Sequence, residues 1–142
     1  MNPADRNSRL SAISRLERHE TVGHRILVVE DSAVIRRLIE VCLRAGDLQI
    51  ITREDGPGGL AAVEAESPDL VVLDIGLPGM DGWQVLDRIR SNPTTKALPV
   101  VVLTAHAEEE SRRRADEGGA DAFITKPFQP NDFRETVLDL LQ

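Results

Sequence analysis

A single cysteine, Cys42, stands in a chain of 142 residues, so no disulfide can close within it. That thiol usage fits a reducing cytoplasm, and a cytoplasmic protein is the expectation. No apolar run approaches the ~20 residues that cross a bilayer as a helix. The N-terminus also lacks the apolar core of a secretory signal, so no membrane contact is expected. Positive charge is in deficit: 17 Lys and Arg stand against 24 Asp and Glu, a net charge of −7. Such a balance argues against nucleic-acid binding driven by phosphate contacts. What remains is ordinary for a globular protein, 41% hydrophobic and 29% charged. The length is that of one domain, which buries roughly two-thirds of its unfolded surface and needs no disulfide or metal to fold.

Residues 1–23 differ from the rest. They are polar and rich in Arg and Ser, with Leu10, Ile13, Leu16 and Val22 as the large apolar residues. The three-residue spacing of Leu10, Ile13 and Leu16 allows a short amphipathic helix. So few apolar side chains offset little ordering entropy, and a flexible extension ahead of a domain spanning 24–142 is the favoured reading.

From His24 onward, short apolar runs alternate with segments of helical period. Ile26–Val29, Leu48–Thr52, Leu70–Leu73, Val100–Leu103 and Ala122–Ile124 read as strands. Three are near-continuous Val, Ile and Leu, as in strands covered on both faces. Val34, Ile35, Leu38, Ile39, Cys42 and Leu43 form the apolar stripe of a first helix, and Gly46 sits where a C-cap glycine would. Leu60, Ala61 and Val63 belong to a second helix and Val85, Leu86 and Ile89 to a third. The fourth, near Glu108–Glu117, has almost no large apolar residue. The fifth carries Phe133, Val137, Leu138 and Leu141, with Pro130 suited to its first turn. This order predicts an α/β fold: a doubly wound five-stranded parallel sheet with five helices, joined by right-handed crossovers. In such a fold the site lies at the carboxyl ends of the strands, where the strand order reverses.

Those ends are chemically loaded. The first strand ends in Glu30-Asp31, the third in Asp74, the fourth in Thr104 and the fifth in Thr125-Lys126-Pro127. Two carboxylates ~4 Å apart repel by about 4 kcal/mol at an effective dielectric of 20, so three in one cleft call for a cation. Oxygen ligands without His or Cys suit a hard ion, and Mg²⁺ is the expected one. It would leave room for phosphate oxygens, which Lys126 could meet as a point charge and Thr104 as a hydrogen-bond donor. Phosphoryl transfer needs mainly positioning and charge neutralisation, which this short set of residues can supply.

Val28-Val29-Glu30-Asp31-Ser32, the run from Val72 through Asp74 to Gly82, Val102-Leu103-Thr104-Ala105 and Ile124-Thr125-Lys126-Pro127-Phe128 together resemble the receiver (CheY-like, flavodoxin-like) family of two-component response regulators. The resemblance covers residues 24–142. It implies that Asp74 accepts a phosphoryl group from the phosphohistidine of a sensor histidine kinase or a histidine phosphotransfer protein. It implies Mg²⁺ ligation by Asp31, Asp74 and the Gly76 backbone carbonyl, with Glu30 at the other acidic position. Thr104 and Lys126 take the place of the phosphoryl-sensing pair, Phe123 that of the aromatic switch, and Pro127 that of a residue following a cis peptide bond. Catalysis is then limited to the protein's own phosphorylation and dephosphorylation, so it is not an enzyme acting on other molecules. The chain stops at Gln142, just after the fifth helix, so a single-domain regulator is expected. It would signal by a conformational switch to a downstream protein or phosphorelay member. The face made by the fourth helix, fifth strand and fifth helix is the expected surface for a partner or homodimer.

Plainer readings exist for each residue. Asp74 could cap a turn, Glu30-Asp31 could cap the first helix, Phe123 could be simple core, and Thr104 could be present for its β propensity. Cys42 reads as core, Trp83 as packing at the start of the third helix, and His19 and His24 as surface residues without partners. Each of Glu108, Glu109 and Glu110 lies four residues before an Arg (Arg112, Arg113, Arg114), the favoured ion-pair orientation on a helix. Two other functions compete. One is an Mg²⁺-dependent phosphohydrolase with an aspartyl-phosphate intermediate, but such enzymes of the haloacid dehalogenase type carry a second Asp two residues past the nucleophile as acid/base, where this chain has Gly76. A phosphorylation-independent interaction module has less need of a charged cleft.

Overall fold

The computed structural model describes residues 23–44 and 47–142. The expectations for Leu10, Ile13, Leu16, His19 and Gly46 lie outside them. Five strands, β1 (His24–Val29), β2 (Leu48–Arg53), β3 (Leu70–Asp74), β4 (Val100–Thr104) and β5 (Ala122–Thr125), form one sheet in the order β2-β1-β3-β4-β5. Every pairing is parallel. Between the strands run α1 (Ala33–Cys42), α2 (Gly56–Glu66), α3 (Gly82–Ser91) and α4 (Glu109–Glu117), and α5 (Pro130–Leu140) follows β5.

The side-chain alternation of the strands divides the core in two. Leu27, Val29, Val71, Leu73, Val100 and Val102 point to the face covered by α2 and α3, where Ala62, Val63, Val85, Leu86 and Ile89 meet them. Ile26, Val28, Leu70, Val72, Val101 and Leu103 point to the opposite face, against Ile39 and Leu43 of α1 and its C-cap and Phe133 and Val137 of α5. β3 and β4 are buried along their whole length, which is why their sequences are apolar without alternation.

The apolar face of α1 differs from the sequence expectation. In α1, Ile39 and Leu43 are fully buried, but Val34 is 77% exposed and Leu38 37%. The apolar residues of α1 occupy two adjacent stripes. The stripe holding Ile35, Ile39 and Cys42 faces the sheet, and that of Val34, Leu38 and Val41 is rotated away by one residue's turn of the helix. The cap of this helix is Leu43, whose N–H donates to the Ile39 carbonyl at 3.0 Å, while the next N–H, of Arg44, donates to the Val41 carbonyl at 3.3 Å. In α2 the buried residues are Gly56, Gly59, Ala62 and Val63, and Ala61 faces outward.

The Glu–Arg pairs expected along α4 do not form. Arg113 instead binds Glu110 at 2.6 Å and Glu117 at 3.0 Å. Arg112 and Arg114 leave the helix surface for aromatic rings, 4.8 Å from the centroid of Phe123 and 4.6 Å from that of Trp83. A cation over an aromatic face contributes about 0.5–2 kcal/mol, more than the 0.2–0.5 kcal/mol of an exposed helical ion pair. α4 buries only Ala115, so these two contacts supply much of its hold on the sheet and on α3. His24 also departs from expectation: it lies in β1 with Nδ1 3.8 Å from Asp69 Oδ2, so it is not without a partner.

The start of α3 is set by a close approach. Asp81 caps the helix in a reciprocal capping box with Gln84, and the Gly82 N–H donates to the Ile75 carbonyl at 3.0 Å. A Cβ on Gly82 would lie 2.6 Å from Ile75 Cα and closer still to the Asp74 carbonyl oxygen. Gly82→Ala is therefore expected to lower stability by about 1–3 kcal/mol, the usual cost of overpacking, and to shift the urea midpoint accordingly. An unchanged midpoint would contradict the close packing of α3 on the end of β3.

Candidate functional site

The strand order reverses between β1 and β3, and a crevice opens beyond their carboxyl ends. Glu30 follows β1, Asp74 ends β3, Thr104 ends β4 and Lys126 follows β5. Their positions rest on backbone bonds that continue past the strands: Glu30 N–H to the Arg53 carbonyl, Ile75 N–H to the Leu103 carbonyl and Lys126 N–H to the Thr104 carbonyl, all 2.7–3.0 Å. The Lys126–Pro127 peptide bond is cis.

Three polar side chains are almost fully buried here: Glu30 (1% exposed), Asp74 (3%) and Thr104 (3%). Lys126 Nζ reaches both carboxylates, 3.2 Å from Asp74 Oδ1 and 3.3 Å from Glu30 Oε1. Asp74 Oδ1 also accepts from the Gly76 N–H at 3.0 Å, and Glu30 Oε2 from the Ser32 N–H at 3.1 Å. Among the described residues no N–H group donates to Asp74 Oδ2. Thr104 Oγ1 accepts from the His106 N–H at 3.0 Å. Asp31 is exposed at the mouth of the crevice, and one carboxylate oxygen from each of Glu30, Asp31 and Asp74 lies within 4.8 Å of the others.

One lysine faces three carboxylates, and the charge imbalance shows in Glu30. Burial, assisted by the charge on Asp74, pushes its carboxyl up to about 7 against the pull of the Ser32 N–H and Lys126. For Lys126 burial acts downward, but the charges of Asp74 and Glu30 outweigh it and raise its ammonium above the ordinary lysine value. A cleft in which burial and the charge of Asp74 both disfavour a charged Glu30 fits a hard divalent cation, and its oxygen-only donors fit Mg²⁺.

Phe123 and Pro127 stand outside this cluster. Phe123 is half-buried, packed against the α2/α3 core and covered by Arg112. One contributor, Arg36, escaped the sequence reading, and Ser32, readable as a cap of the first helix, serves the site as well. Arg36 of α1 donates from Nη1 to the Glu30 carbonyl at 2.8 Å, and Ser32, whose hydroxyl caps α1, donates its backbone N–H to Glu30. The reach of Arg36 was in principle legible, because helical side chains lean toward the N-terminus of their helix.

The sequence profile of the response regulator receiver domain matches residues 26–138. The phosphate regulon transcriptional regulatory protein PhoB of Escherichia coli K12 is 41% identical over 111 residues, covering 78% of this chain and 48% of PhoB. The chain thus spans about half the length or less of the curated relatives it matches. Chemotaxis response regulator CheY4 of Vibrio cholerae superposes with a TM-score of 0.77 at 26% identity, covering 82% of this chain and 98% of CheY4. The Mn²⁺-bound form of response regulator Rcp1 superposes at 0.70 with 33% identity, covering 82% and 91%. Sequence and backbone agree from β1 to α5, and the acidic crevice lies at the strand-order reversal they share: the chain belongs to the response regulator receiver domain family of two-component systems.

Proposed function

We propose that this domain accepts a phosphoryl group on Asp74 and passes the signal on by a change of shape. The observation that carries the reading is the environment of Asp74. Its Oδ1 is held by Lys126 and the Gly76 N–H, while Oδ2 accepts from no N–H group among the described residues. Oδ2 is then the oxygen that attacks phosphorus. The new O–P bond replaces the N–P bond of a donor phosphohistidine, and the imidazole leaves. The donor is a sensor histidine kinase or a histidine phosphotransfer protein, which places the protein in the cytoplasm.

Asp31, Asp74 and the Gly76 carbonyl would hold Mg²⁺, with Glu30 beside them. Its chemistry there is neutralisation of the charge on the transferring group. Lys126 is already within 3.2 Å of the acceptor and meets a phosphoryl oxygen as a fixed charge. The Thr104 hydroxyl, at the end of the neighbouring strand, meets another. Both are positioning and electrostatic roles, which is most of what phosphoryl transfer asks of a protein. Gly76 has no side chain, so the position two residues past Asp74 supplies no acid or base for turnover of small phosphate esters, which favours signalling over hydrolysis.

The output surface in this reading is α4, β5 and α5, for a downstream protein or a second copy. α4 buries one residue and is otherwise held by Arg112 on Phe123 and Arg114 on Trp83. A helix held so lightly is the least costly element to move when Thr104 and Lys126 close on a phosphoryl group. Hydrogen exchange with and without beryllofluoride and Mg²⁺ tests this. Changed protection is expected in residues 104–128, and changes confined to α1 and α2 would contradict the proposed output face.

A further inference from the structure

We infer that Arg36 is a positioning residue, one that aims the acidic pair Glu30 and Asp31 for cation binding. The inference rests on the reading of the crevice as a Mg²⁺-dependent acceptor site and adds a residue to it.

The Asp31 carboxylate takes part in no hydrogen bond or ion pair among the described residues. Its location is therefore inherited from the backbone on either side. β1 ends at Val29, so the Glu30 carbonyl lies beyond the regular ladder of that strand. Arg36 supplies its partner, with Nη1 donating at 2.8 Å. The backbone N–H of the same Arg36 donates to the Ser32 carbonyl at 2.9 Å. That second bond is the first helical bond of α1 and any residue at 36 would make it, so what Arg36 itself adds is the side-chain tie to the carbonyl that precedes Asp31. The other ties in this stretch act elsewhere: Arg53 accepts from the Glu30 N–H, and the Ser32 hydroxyl accepts from Ile35 N–H inside α1. Glu30 needs the same fixity, because its two carboxylate oxygens must face Ser32 N–H and Lys126 at once. A guanidinium suits the task, since it offers several donors and cannot lose its charge.

The competing role for Arg36 is bulk electrostatic balance at an acidic cleft, and the two roles predict opposite signs. Removing a positive charge near the crevice would by Coulomb's law tighten binding of a divalent cation. Releasing a group that orients ligands would weaken it. Mg²⁺ titration of the full chain, followed by the amide resonances of Asp31 and Gly76, separates them. Arg36→Met is expected to weaken Mg²⁺ binding about tenfold, the low end for loss of an outer-sphere partner. Faster amide exchange should accompany it at residues 30–32 only. Arg36→Lys, which keeps a donor, is expected to bind more tightly than Arg36→Met, an order that charge alone would reverse. Equal or tighter binding by Arg36→Met overturns the inference. So does a loss of protection spread through the sheet, which would make Arg36 a residue of general stability. A wild-type protein that binds no Mg²⁺ removes the reading of the crevice itself, and the role of Arg36 with it.

Discussion

Asp74→Asn protein is expected to gain no phosphoryl group on incubation with acetyl phosphate and Mg²⁺, where the wild-type chain gains one. The substitution preserves shape and leaves an acceptor for the Gly76 N–H, so the fold should survive it. What disappears is the nucleophile, because an amide oxygen at neutral pH does not attack phosphorus as a carboxylate does. No neighbour is placed to substitute. Glu30 is buried, bound by Ser32 N–H and Lys126, and carries a proton much of the time near neutral pH. Asp31 is exposed and lacks the lysine contact that Asp74 enjoys. The loss should therefore be complete on the timescale of wild-type labelling. Intact mass reports it, and a variant that gains the same mass at the wild-type rate would remove Asp74 from its role.

The second large effect is on stability and follows from Glu30. Its carboxyl is raised from 4.5 to about 7 in the folded protein, so the fold prefers the protonated form. The sign follows by linkage. A group whose folded pKa lies above its unfolded value contributes stability that is fully present below the unfolded value and lost as pH rises through the folded one. With one pKa unit equal to about 1.4 kcal/mol, Glu30 should cost the metal-free protein about 2–3 kcal/mol between pH 5 and pH 8. Glu30→Gln cannot ionise and should flatten that slope, leaving the variant more stable than wild type at pH 8 and nearly equal at pH 5. Urea melts at the two pH values in the presence of EDTA measure it. A variant with the wild-type slope would show that the charge on Glu30 is not the source of the strain. Mg²⁺ should stabilise wild type more at pH 8 than at pH 5, since proton and cation compete for the same carboxylates.

Much of this arrangement was legible in the sequence because the physical demands on it are local. A strand buried on both faces must be nearly all apolar, so Leu70–Leu73 and Val100–Leu103 could be read directly, and the polar residues that follow them fall at the site by topology alone. Helix faces were less legible where apolar residues fill two neighbouring stripes. Val34 and Leu38 satisfy the same period as Ile35 and Ile39, and only the sheet decides which pair is covered. The polar face of α4 misled for a related reason. Arginine spacing along a helix predicts local partners, but Arg112 and Arg114 found rings brought near by β5 and α3, contacts without a local signature. The pair Glu30-Asp31 shows the limit most plainly. Two adjacent acids read alike, yet the turn after β1 sends Glu30 inward to Lys126 and leaves Asp31 at the mouth of the crevice.

Phosphorylation of Asp74 would make a covalent bond at one carboxylate, and chemical trapping identifies that carboxylate. Borohydride reduces an acyl phosphate to an alcohol, so a phosphorylated aspartate becomes homoserine and keeps its position in the chain. The wild-type protein, treated with acetyl phosphate and Mg²⁺, then reduced, digested and sequenced by mass spectrometry, should carry homoserine at position 74 and at no other aspartate. Homoserine at Asp31 or elsewhere, or an unmodified position 74 in protein that has demonstrably gained phosphate, would remove Asp74 as the acceptor.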